Sequence, residues 1–258
     1  MNFAFLGEAL ISPEQMDTAM RGHVYLWSPR GGRAVWGDYC AVFVFTKHAS
    51  EISPETVAGW IGHPHLRVIA GESDGEQLAS LARETSAVLR AEECERKFLV
   101  TFPDIGALEG SPFAERSHIV QTYLVSDAEI SARVRMRDFG GAVSYTHTLK
   151  RRIDKETCEE EEREIDRAAY EALLLKADPE RRPIEKTRWC ILFAGQYFEL
   201  DVYPFWGDRA TVELETAERS DAPISFPSFF RVIREVTDDA RYKNARLARE
   251  VPFDEIGG

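Results

Sequence analysis

Segments in which polar and hydrophobic residues alternate recur along the chain after residue 92. They cover residues 93–100, 118–125, 132–137, 143–150, 186–193, 197–203 and 210–217. Successive side chains of a β-strand point to opposite sides, so each segment predicts a strand with one polar and one apolar face. Many short strands with few helices between them predict an antiparallel sheet, which we expect to close into a barrel.

Two stretches after residue 92 have helical spacing instead. They are residues 162–177 and residues 228–250, the second with a break near 237–239. The apolar faces of the strands must be covered, and these two predicted helices are available to cover them. The charged faces of the strands would then line the inside of the barrel.

Before residue 92, strand and helix patterns alternate, which predicts a piece of an α/β unit. Strands are predicted at 40–45 and 66–70, and helices at 53–62 and 73–91. The 53–62 helix has a Ser cap and a Pro in its first turn. The sequence contains no GxxxxGK[ST] phosphate-binding loop, so we interpret residues 1–92 as a partial, non-catalytic α/β segment and residues 93–258 as the barrel domain.

Composition narrows the class of protein. The 258-residue chain has 29% charged residues and a formal net charge of −12, which argues against a general nucleic-acid binder. An enclosed phosphate site remains compatible with this charge, because net charge describes the surface average. Four scattered cysteines, a poor signal peptide and the lack of an apolar run of about 18 residues predict a cytoplasmic protein without a membrane partner.

Charged side chains repeat at alternate positions of the predicted strands. The cations are Lys97, Arg133, Arg135, Lys150, Lys186 and Arg188, and the carboxylates are Glu93, Glu95, Glu160, Glu162, Glu199, Asp201, Glu213 and Glu215. Glu159 and Glu161 replace Glu160 and Glu162 if the register of that acidic run shifts by one. One such segment alone is typical of a solvated surface strand, but seven together favour a wet lumen. A polyanion and hard divalent cations in this lumen would compensate charges of both signs.

The motifs that carry these charges resemble those of the CYTH, or triphosphate tunnel metalloenzyme, family. They are ExExK at 93–97, RxR at 133–135, TxK at 148–150, EKTR at 185–188, ExE at 213–215 and the closing segment REVTDDARYKNARLA at 234–248. The resemblance covers residues 93 to about 249 in order. It implies an α+β fold in which an eight-stranded antiparallel β-barrel with flanking helices binds a linear triphosphate along its axis. A looser resemblance, over residues 39–92, is to the end of a P-loop ATPase domain fused to such a barrel.

The CYTH resemblance also implies roles for the charged residues. The six cations would hold phosphate oxygens, and Lys97 would act in catalysis as well. Mg²⁺ or Mn²⁺ would be held by Glu93, Glu95, Glu213 and Glu215. A second acidic group would place another metal ion or the attacking water: Glu160, Glu162, Glu199 and Asp201. This is the arrangement of two-metal phosphoryl transfer, in which the protein contributes position and charge.

The leading functional hypothesis is an inorganic triphosphatase that converts tripolyphosphate to pyrophosphate and phosphate. The alternatives are a nucleotide enzyme of the same fold (adenylate cyclase, or a nucleoside or thiamine triphosphatase) and a non-catalytic polyphosphate-binding module. The acidic residues disfavour the binding module, because cations alone would serve binding. His63 and His65 flank a Pro without a ligand at suitable spacing, which disfavours a metal site there. Self-association as a homodimer is left open.

Overall fold

The computed structural model describes residues 2–7, 24–29, 31, 36, 38–70, 94–127, 130–152, 158–216 and 224–255. These residues form two β-sheets, a four-stranded sheet before residue 71 and a nine-stranded sheet after residue 93. Within this part of the chain, no helix is both long enough and apolar enough to cross a bilayer.

The four-stranded sheet is parallel and has the order β2-β1-β3-β4. Its strands are β1 (Asn2–Gly7), β2 (Val24–Trp27), β3 (Ala41–Thr46) and β4 (Leu66–Ala70). Every residue of β3 is buried, as expected of a central parallel strand that is covered on both faces. β3 and β4 lie at the strands predicted for 40–45 and 66–70, whereas no strand is predicted for β1 and β2. The helix predicted at 73–91 lies outside the described residues.

Helix α1 spans only Pro54–Val57, although the sequence predicts a helix over 53–62. Its start is as predicted, because the Ser53 hydroxyl accepts a hydrogen bond from the Thr56 amide at 3.2 Å. The helix ends early because Gly59 has a φ of +77°, which is incompatible with a continuing right-handed helix.

The nine-stranded sheet has the order β13-β5-β12-β11-β10-β6-β7-β8-β9, and its neighbouring strands are antiparallel. Its strands are β5 (Cys94–Thr101), β6 (Ala114–Leu124), β7 (Ile130–Phe139), β8 (Ala142–Arg152), β9 (Cys158–Ile165), β10 (Ile184–Phe193), β11 (Gln196–Val202), β12 (Arg209–Thr216) and β13 (Val232–Glu235). The predicted antiparallel sheet with few helices is therefore confirmed.

The number of strands is nine rather than the predicted eight, because β13 lies where a helix is predicted over 228–250. Apolar residues in this stretch fit helical and strand spacing alike, and the edge of β5 decides between them. The Lys97 carbonyl accepts a hydrogen bond from the Val236 amide at 2.7 Å, and the Lys97 amide donates to the Thr237 hydroxyl at 3.0 Å. Two short helical segments follow, a 3-10 helix (Ala240–Tyr242) and α4 (Asn244–Leu247).

The strands β9 and β13 are the two edges of this sheet, and no pairing between them closes it among the described residues. The sheet nevertheless curves strongly. Glu162 on β9 and Glu199 on β11 lie five strand spacings apart, about 24 Å in a flat sheet. The charges of both carboxylates nevertheless act on the imidazole of His65. Tyr197 on β11 and Arg137 on β7 are also well separated in the strand order, yet their side chains hydrogen-bond to one residue, Gly62, at 2.8 and 3.2 Å. The face that carries these side chains is therefore concave.

The acidic run after residue 157 is extended, so the helix predicted at 162–177 begins too early. β9 continues to Ile165, and Asp166 then caps helix α3 (Arg167–Leu174) by accepting a hydrogen bond from the Ala169 amide at 2.7 Å. The Asp cap, rather than the apolar spacing, marks where the helix starts.

The two faces of the nine-stranded sheet differ in chemistry. The convex face is apolar, and its core contains Phe98, Val100, Leu200, Val212 and Leu214. Helix α2 (Ile105–Glu109) and residues 224–230 cover part of it, and α3 covers another part around Val134. We call the concave side the charged face, and it carries Lys97, Arg133, Arg135, Lys186, Arg188, Glu199, Asp201 and Glu213.

Candidate functional site

An ion-pair network across three neighbouring strands occupies the centre of the charged face. Arg188 on β10 donates from Nε to Asp201 Oδ1 and from Nη2 to Asp201 Oδ2, each at 2.7 Å. Its Nη2 also donates to Glu213 Oε2 at 2.9 Å, and its Nη1 pairs with Glu199. One guanidinium thus joins carboxylates from β11 and β12, and its planar fork suits this multiple pairing.

Two buried lysines complete the network. Lys97 Nζ on β5 donates to Glu213 Oε1 at 2.6 Å, and Lys186 Nζ on β10 pairs with Asp201. Lys97, Lys186, Asp201 and Glu213 are all buried. The sequence predicts a water-filled space between the charged side chains. At this point the side chains instead pack against one another, because their charges compensate.

Strand register brings these residues together. Arg188 lies opposite Asp201, Glu199 opposite Glu213, and Glu213 opposite Lys97. Side chains directly opposite on one face of an antiparallel pair have close Cβ atoms, so each pair is placed by the backbone before any side chain adjusts. The alternation in the sequence and the register therefore act together.

Mutual pairing shifts the ionisation of the buried groups. Burial alone would raise the pKa values of Asp201 and Glu213, but neighbouring cations reverse this: Arg188 and Lys186 hold the pKa of Asp201 far below its usual range, and Lys97 and Arg188 lower that of Glu213 to about 2. Burial opposes the charge of Lys97, but Glu213 raises its pKa above the usual value. These groups are therefore charged at neutral pH.

Lys186 differs from the other cations of the network. Burial and the charge of Arg188 together lower its pKa to about 8, although Asp201 acts in the opposite direction. Lys186 and Arg188 thus share the carboxylate of Asp201. Lys186 is the cation of this network that loses its proton most readily. An added anion beside Lys186 would restore its pKa.

A second group of charges lies on β7, β8 and β9. Arg133 Nη2 and Arg135 Nη1 lie 3.9 and 4.0 Å from Glu162 Oε2, which also accepts a hydrogen bond from the Thr148 hydroxyl at 2.7 Å. Arg135 Nη2 approaches Gln121 Oε1 at 3.4 Å. Burial and the charge of Arg133 lower the pKa of Arg135 to about 10. This side of the charged face therefore has an excess of cationic side chains over carboxylates.

The register of β8 and β9 resolves the two alternatives for the acidic run. Glu162 lies opposite Thr148, and Glu160 opposite Lys150. The Glu160 and Glu162 positions therefore share the face of Thr148, whereas Glu159 and Glu161 fall on the other face. Lys150 is exposed on this strand. The Glu160 side chain lies outside what the structure describes.

The predicted metal-binding glutamates are described only in part. Glu93 lies outside the described residues, and Glu215 is placed in β12 opposite Glu95 but its side chain is not described. The charge of Glu213 and burial raise the pKa of Glu95 to about 7. Glu95 is thus close enough to Glu213 for the charge of Glu213 to disfavour ionisation of Glu95.

No ready-made metal centre is present among the described side chains: they contain no group of three or more His, Cys, Asp or Glu residues that could hold an ion. The carboxylates of β11 and β12 are paired with cations instead. Carboxylate oxygens are nevertheless the ligands that Mg²⁺ and Mn²⁺ prefer, and crowding of Glu95 against Glu213 is the charge pattern that a divalent cation relieves. Glu95 and Glu213 are the described carboxylates that could contribute ligands to such an ion.

Two further residues belong to the charged face and a third influences it, although no site role is predicted for them. Gln121 and Tyr123 lie on β6 and are joined by a hydrogen bond of 2.9 Å from Gln121 Nε2 to Tyr123 Oη. Their spacing of two residues places them on the same face of β6. Because both side chains are uncharged, the pattern of charges does not identify them as site residues. The third is His65, which comes directly before β4 and on whose imidazole the charges of Glu199 and Glu162 act. The alternating pattern of the charged strands gives no indication of this position.

A curved antiparallel sheet with paired cations and carboxylates on its concave face agrees with the antiparallel sheet that the CYTH resemblance implies. No family model matches the sequence. The chain is 39% identical over 166 residues to the inorganic triphosphatase of Nitrosomonas europaea, a match that covers 62% of this chain and 99% of the relative. The chain therefore belongs to the family of that protein, which confirms the resemblance to CYTH proteins.

Solved structures give similar matches. The crystal structure of an inorganic triphosphatase matches with 35% identity and a TM-score of 0.44, over 62% of this chain and 97% of that chain. A protein from Pyrococcus horikoshii OT3 matches with 26% identity and a TM-score of 0.36, over 49% of this chain and 80% of that chain.

Proposed function

We propose that this protein hydrolyses a linear triphosphate, and that its substrate is inorganic tripolyphosphate, cleaved to pyrophosphate and phosphate. The observation that carries the proposal is the network around Arg188, which places cations and carboxylates from four strands in one buried cluster. Membership in the family of an inorganic triphosphatase supports the same reaction.

The cations of the charged face suit a chain of phosphoryl groups. Arg133 and Arg135 lie on one side, and Lys97, Lys186 and Arg188 on the other, so phosphate oxygens between them would be contacted from both sides. Arg135 Nε is buried and has no hydrogen-bond partner among the described residues. A buried donor without a partner costs about 1–3 kcal/mol, and a phosphate oxygen would remove this cost.

Binding requires the ion pairs to exchange partners. Lys186 and Arg188 now neutralise Asp201, Glu199 and Glu213, and they would turn part of their hydrogen bonding to phosphate. The released carboxylates would then need another cation. This exchange explains why a ligand-free site with compensated charges can serve a substrate that carries several negative charges.

We further propose that Mg²⁺ or Mn²⁺ supplies this cation, held by Glu95 and Glu213, with Glu93 and Glu215 as additional ligands. Such an ion neutralises phosphate oxygens and lowers the pKa of bound water. The chain's own residues then orient the substrate: Arg and Lys side chains fix the phosphoryl groups and stabilise the charge that develops during transfer.

Glu162 is the residue that we propose to position the attacking water. Its side chain is 40% exposed, and its contacts with the guanidinium groups of Arg133 and Arg135 are long, at 3.9 and 4.0 Å. A carboxylate oxygen therefore remains accessible to water. Burial opposes its charge, but Arg135, Thr148 and Arg133 lower its pKa, which keeps it ionised at neutral pH as an acceptor. Glu160 and Glu199, together with Asp201, would complete this acidic group. Lys150 would hold phosphate at the exposed end of β8.

The test is phosphate release from tripolyphosphate, ATP and thiamine triphosphate, each with Mg²⁺, with Mn²⁺ and with EDTA. We expect release from tripolyphosphate to exceed release from the other two substrates and to stop in EDTA. Faster release from ATP or thiamine triphosphate would favour a nucleotide or thiamine enzyme instead. Tight binding of tripolyphosphate without release from any substrate would favour a binding module.

A further inference from the structure

The four-stranded sheet is joined to the charged face through the loop of residues 60–65, which leads into β4. Tyr197 Oη accepts a hydrogen bond from the Gly62 amide at 2.8 Å, and Arg137 Nη2 donates to the Gly62 carbonyl at 3.2 Å. Tyr197 precedes Glu199 by two residues on β11, and Arg137 follows Arg135 by two on β7, so both lie on the charged face. The loop is therefore fixed to the rows of side chains that form the candidate site.

This junction is well packed. Trp36, Trp60 and Ile61 share one hydrophobic core with Cys190, Leu192 and Tyr197. Gly62 has a φ of +103°, and a Cβ there would come within 2.5 Å of the Phe139 ring and 2.8 Å of Trp36. Because the chain has no space for a side chain at this point, the loop is held close against the nine-stranded sheet.

Hydrogen bonds within the loop also fix the two histidines. His63 Nδ1 accepts from the His65 amide at 3.1 Å, so His63 carries its proton on Nε2, which lies 3.3 Å from the Tyr39 carbonyl. His63 is thus fully used in holding the loop. The His65 imidazole makes no hydrogen bond to the described residues, although the charges of Glu199 and Glu162 reach it.

The opposite end of the charged face is closed by the C-terminal segment. Leu99, Tyr123, Ile184 and Tyr203 continue the inward-facing rows of their strands and pack against Val236, Tyr242 and Leu247. On β11 the inward positions are Tyr197, Glu199, Asp201 and Tyr203, so the charged positions span a rise of about 7 Å between aromatic residues about 20 Å apart. The site therefore has a limited length.

We propose that residues 60–65 form an end wall of the triphosphate site, and that His65 donates a hydrogen bond to the terminal phosphoryl group, so that the site selects an unsubstituted three-phosphate chain over longer or nucleoside-bearing chains. His65 would thereby distinguish tripolyphosphate from longer and nucleoside-bearing chains. The proposal rests on the proposed function for the position of the substrate, but the selection is one of binding and does not require turnover.

The experiment compares dissociation constants for tripolyphosphate, tetrapolyphosphate and ATP by calorimetry, with the full-length protein. The wild-type protein should bind tripolyphosphate most tightly. His65→Ala should weaken tripolyphosphate binding about 10-fold or more, the usual loss for a hydrogen bond to a charged group. It should leave binding of the two larger ligands unchanged or stronger, because the end of the site becomes roomier.

Three further variants separate selection from general damage. His65→Gln retains a donor and should recover part of the preference for tripolyphosphate. Tyr197→Phe removes the hydroxyl that accepts a hydrogen bond from the Gly62 amide. It should reduce the preference for tripolyphosphate over the two larger ligands, because residues 60–65 are then held less firmly. His118→Ala is the matched control, because His118 is an exposed histidine of the same chain that pairs with Glu185 away from the charged face. This control should bind all three ligands as the wild type does.

Equal affinity of the wild-type protein for the three ligands would overturn the end wall, as would an unchanged preference in a folded His65→Ala variant. Phosphate release is measured in parallel on the same samples. If tripolyphosphate is selected but not hydrolysed, the proposed hydrolysis fails and the end wall stands. If tripolyphosphate is hydrolysed without selection, the end wall fails and the proposed hydrolysis stands.

Discussion

Arg188 donates two parallel hydrogen bonds of 2.7 Å to the carboxylate of Asp201, and Asp201 is completely buried. The same carboxylate pairs with Lys186, so two cations depend on one anion. A buried ion pair contributes little net stability compared with an apolar core, but removing one partner leaves uncompensated charge behind. The stability of the nine-stranded sheet therefore depends, through Asp201, on the charge balance of its site.

The first prediction is that Asp201→Asn lowers the free energy of unfolding by about 3–5 kcal/mol, because it leaves Lys186 and Arg188 without their shared carboxylate. Urea unfolding at pH 7 measures this. The matched control is Glu109→Gln, since Glu109 and its partner Arg116 are both exposed. The control should lose no more than about 1 kcal/mol. Equal small losses in both variants would show that the Arg188 network is not tightly buried.

A second prediction concerns binding on the other side of the charged face. Tripolyphosphate without metal should raise the melting temperature of the wild-type protein, because ligand binding to the folded state stabilises it. Arg135→Gln should remove most of this increase, since Arg135 has a buried Nε that lacks a partner among the described residues.

The control for that experiment is Arg116→Gln. Arg116 is an exposed arginine that pairs with Glu109 at 3.0 Å outside the charged face. It should retain the wild-type increase in melting temperature. An unaltered increase in Arg135→Gln would place the phosphate chain elsewhere in the protein.

The third prediction tests the carboxylate that pairs with both Lys97 and Arg188. Glu213→Gln should lower kcat/KM for tripolyphosphate by about 100-fold or more, the loss typical of a group that organises transition-state charge. The side chain keeps its shape, so the far-UV circular dichroism spectrum should not change. Glu185→Gln is the control, because Glu185 is exposed on β10 and pairs with His118. A variant that retains full activity would show that Glu213 does not hold the metal ion that we propose for hydrolysis.

Much of the charged face could be predicted from the sequence because strands have a period of two. Lys186 and Arg188 share a face for that reason, and the EKTR spacing alone indicates it. What alternation cannot give is which residue lies opposite which. The contacts of Arg188 with Asp201 and Glu213 depend on the register of three strands, which is set by the whole sheet.

Where the sequence prediction is wrong, contacts between residues distant in sequence decide the structure. Residues 232–235 fit either period, and only the available edge of β5, distant in sequence, selects a strand. The helix after the acidic run starts later in the chain than the sequence predicts. Glutamate is compatible with a helix, but pairing of Thr148 with Glu162 makes residues 158–165 a strand. The electrostatic influence of Glu199 and Glu162 on His65 could not be predicted, since it depends on how the two sheets pack.

The fourth prediction is an acid sensitivity that originates in the end wall. His63 is buried, and burial together with the charge of His65 lowers the pKa of His63 from 6.5 to about 4. The unfolded chain therefore binds a proton more readily than the folded protein between these values. The stability that neutral His63 supports is present above pH 6.5 and is lost as the pH falls towards 4.

Between pH 7 and pH 5 this loss is about 2 kcal/mol for a single such group. Urea unfolding at the two pH values should therefore show a smaller loss in His63→Gln than in the wild-type protein, by about that amount. The exposed His48→Gln provides the control and should follow the wild type. A loss of equal size in all three proteins would mean that His63 is not held neutral by the fold.

Cleavage of a linear triphosphate at the charged face can be followed by phosphorus-31 NMR of tripolyphosphate with the protein and Mg²⁺. The spectrum follows substrate and both products at once. We expect the central phosphorus resonance of tripolyphosphate to disappear while pyrophosphate and phosphate form in equal amounts, and we expect Glu213→Gln to slow this change. A spectrum that stays unchanged with folded wild-type protein, in Mg²⁺ and again in Mn²⁺, would contradict hydrolysis.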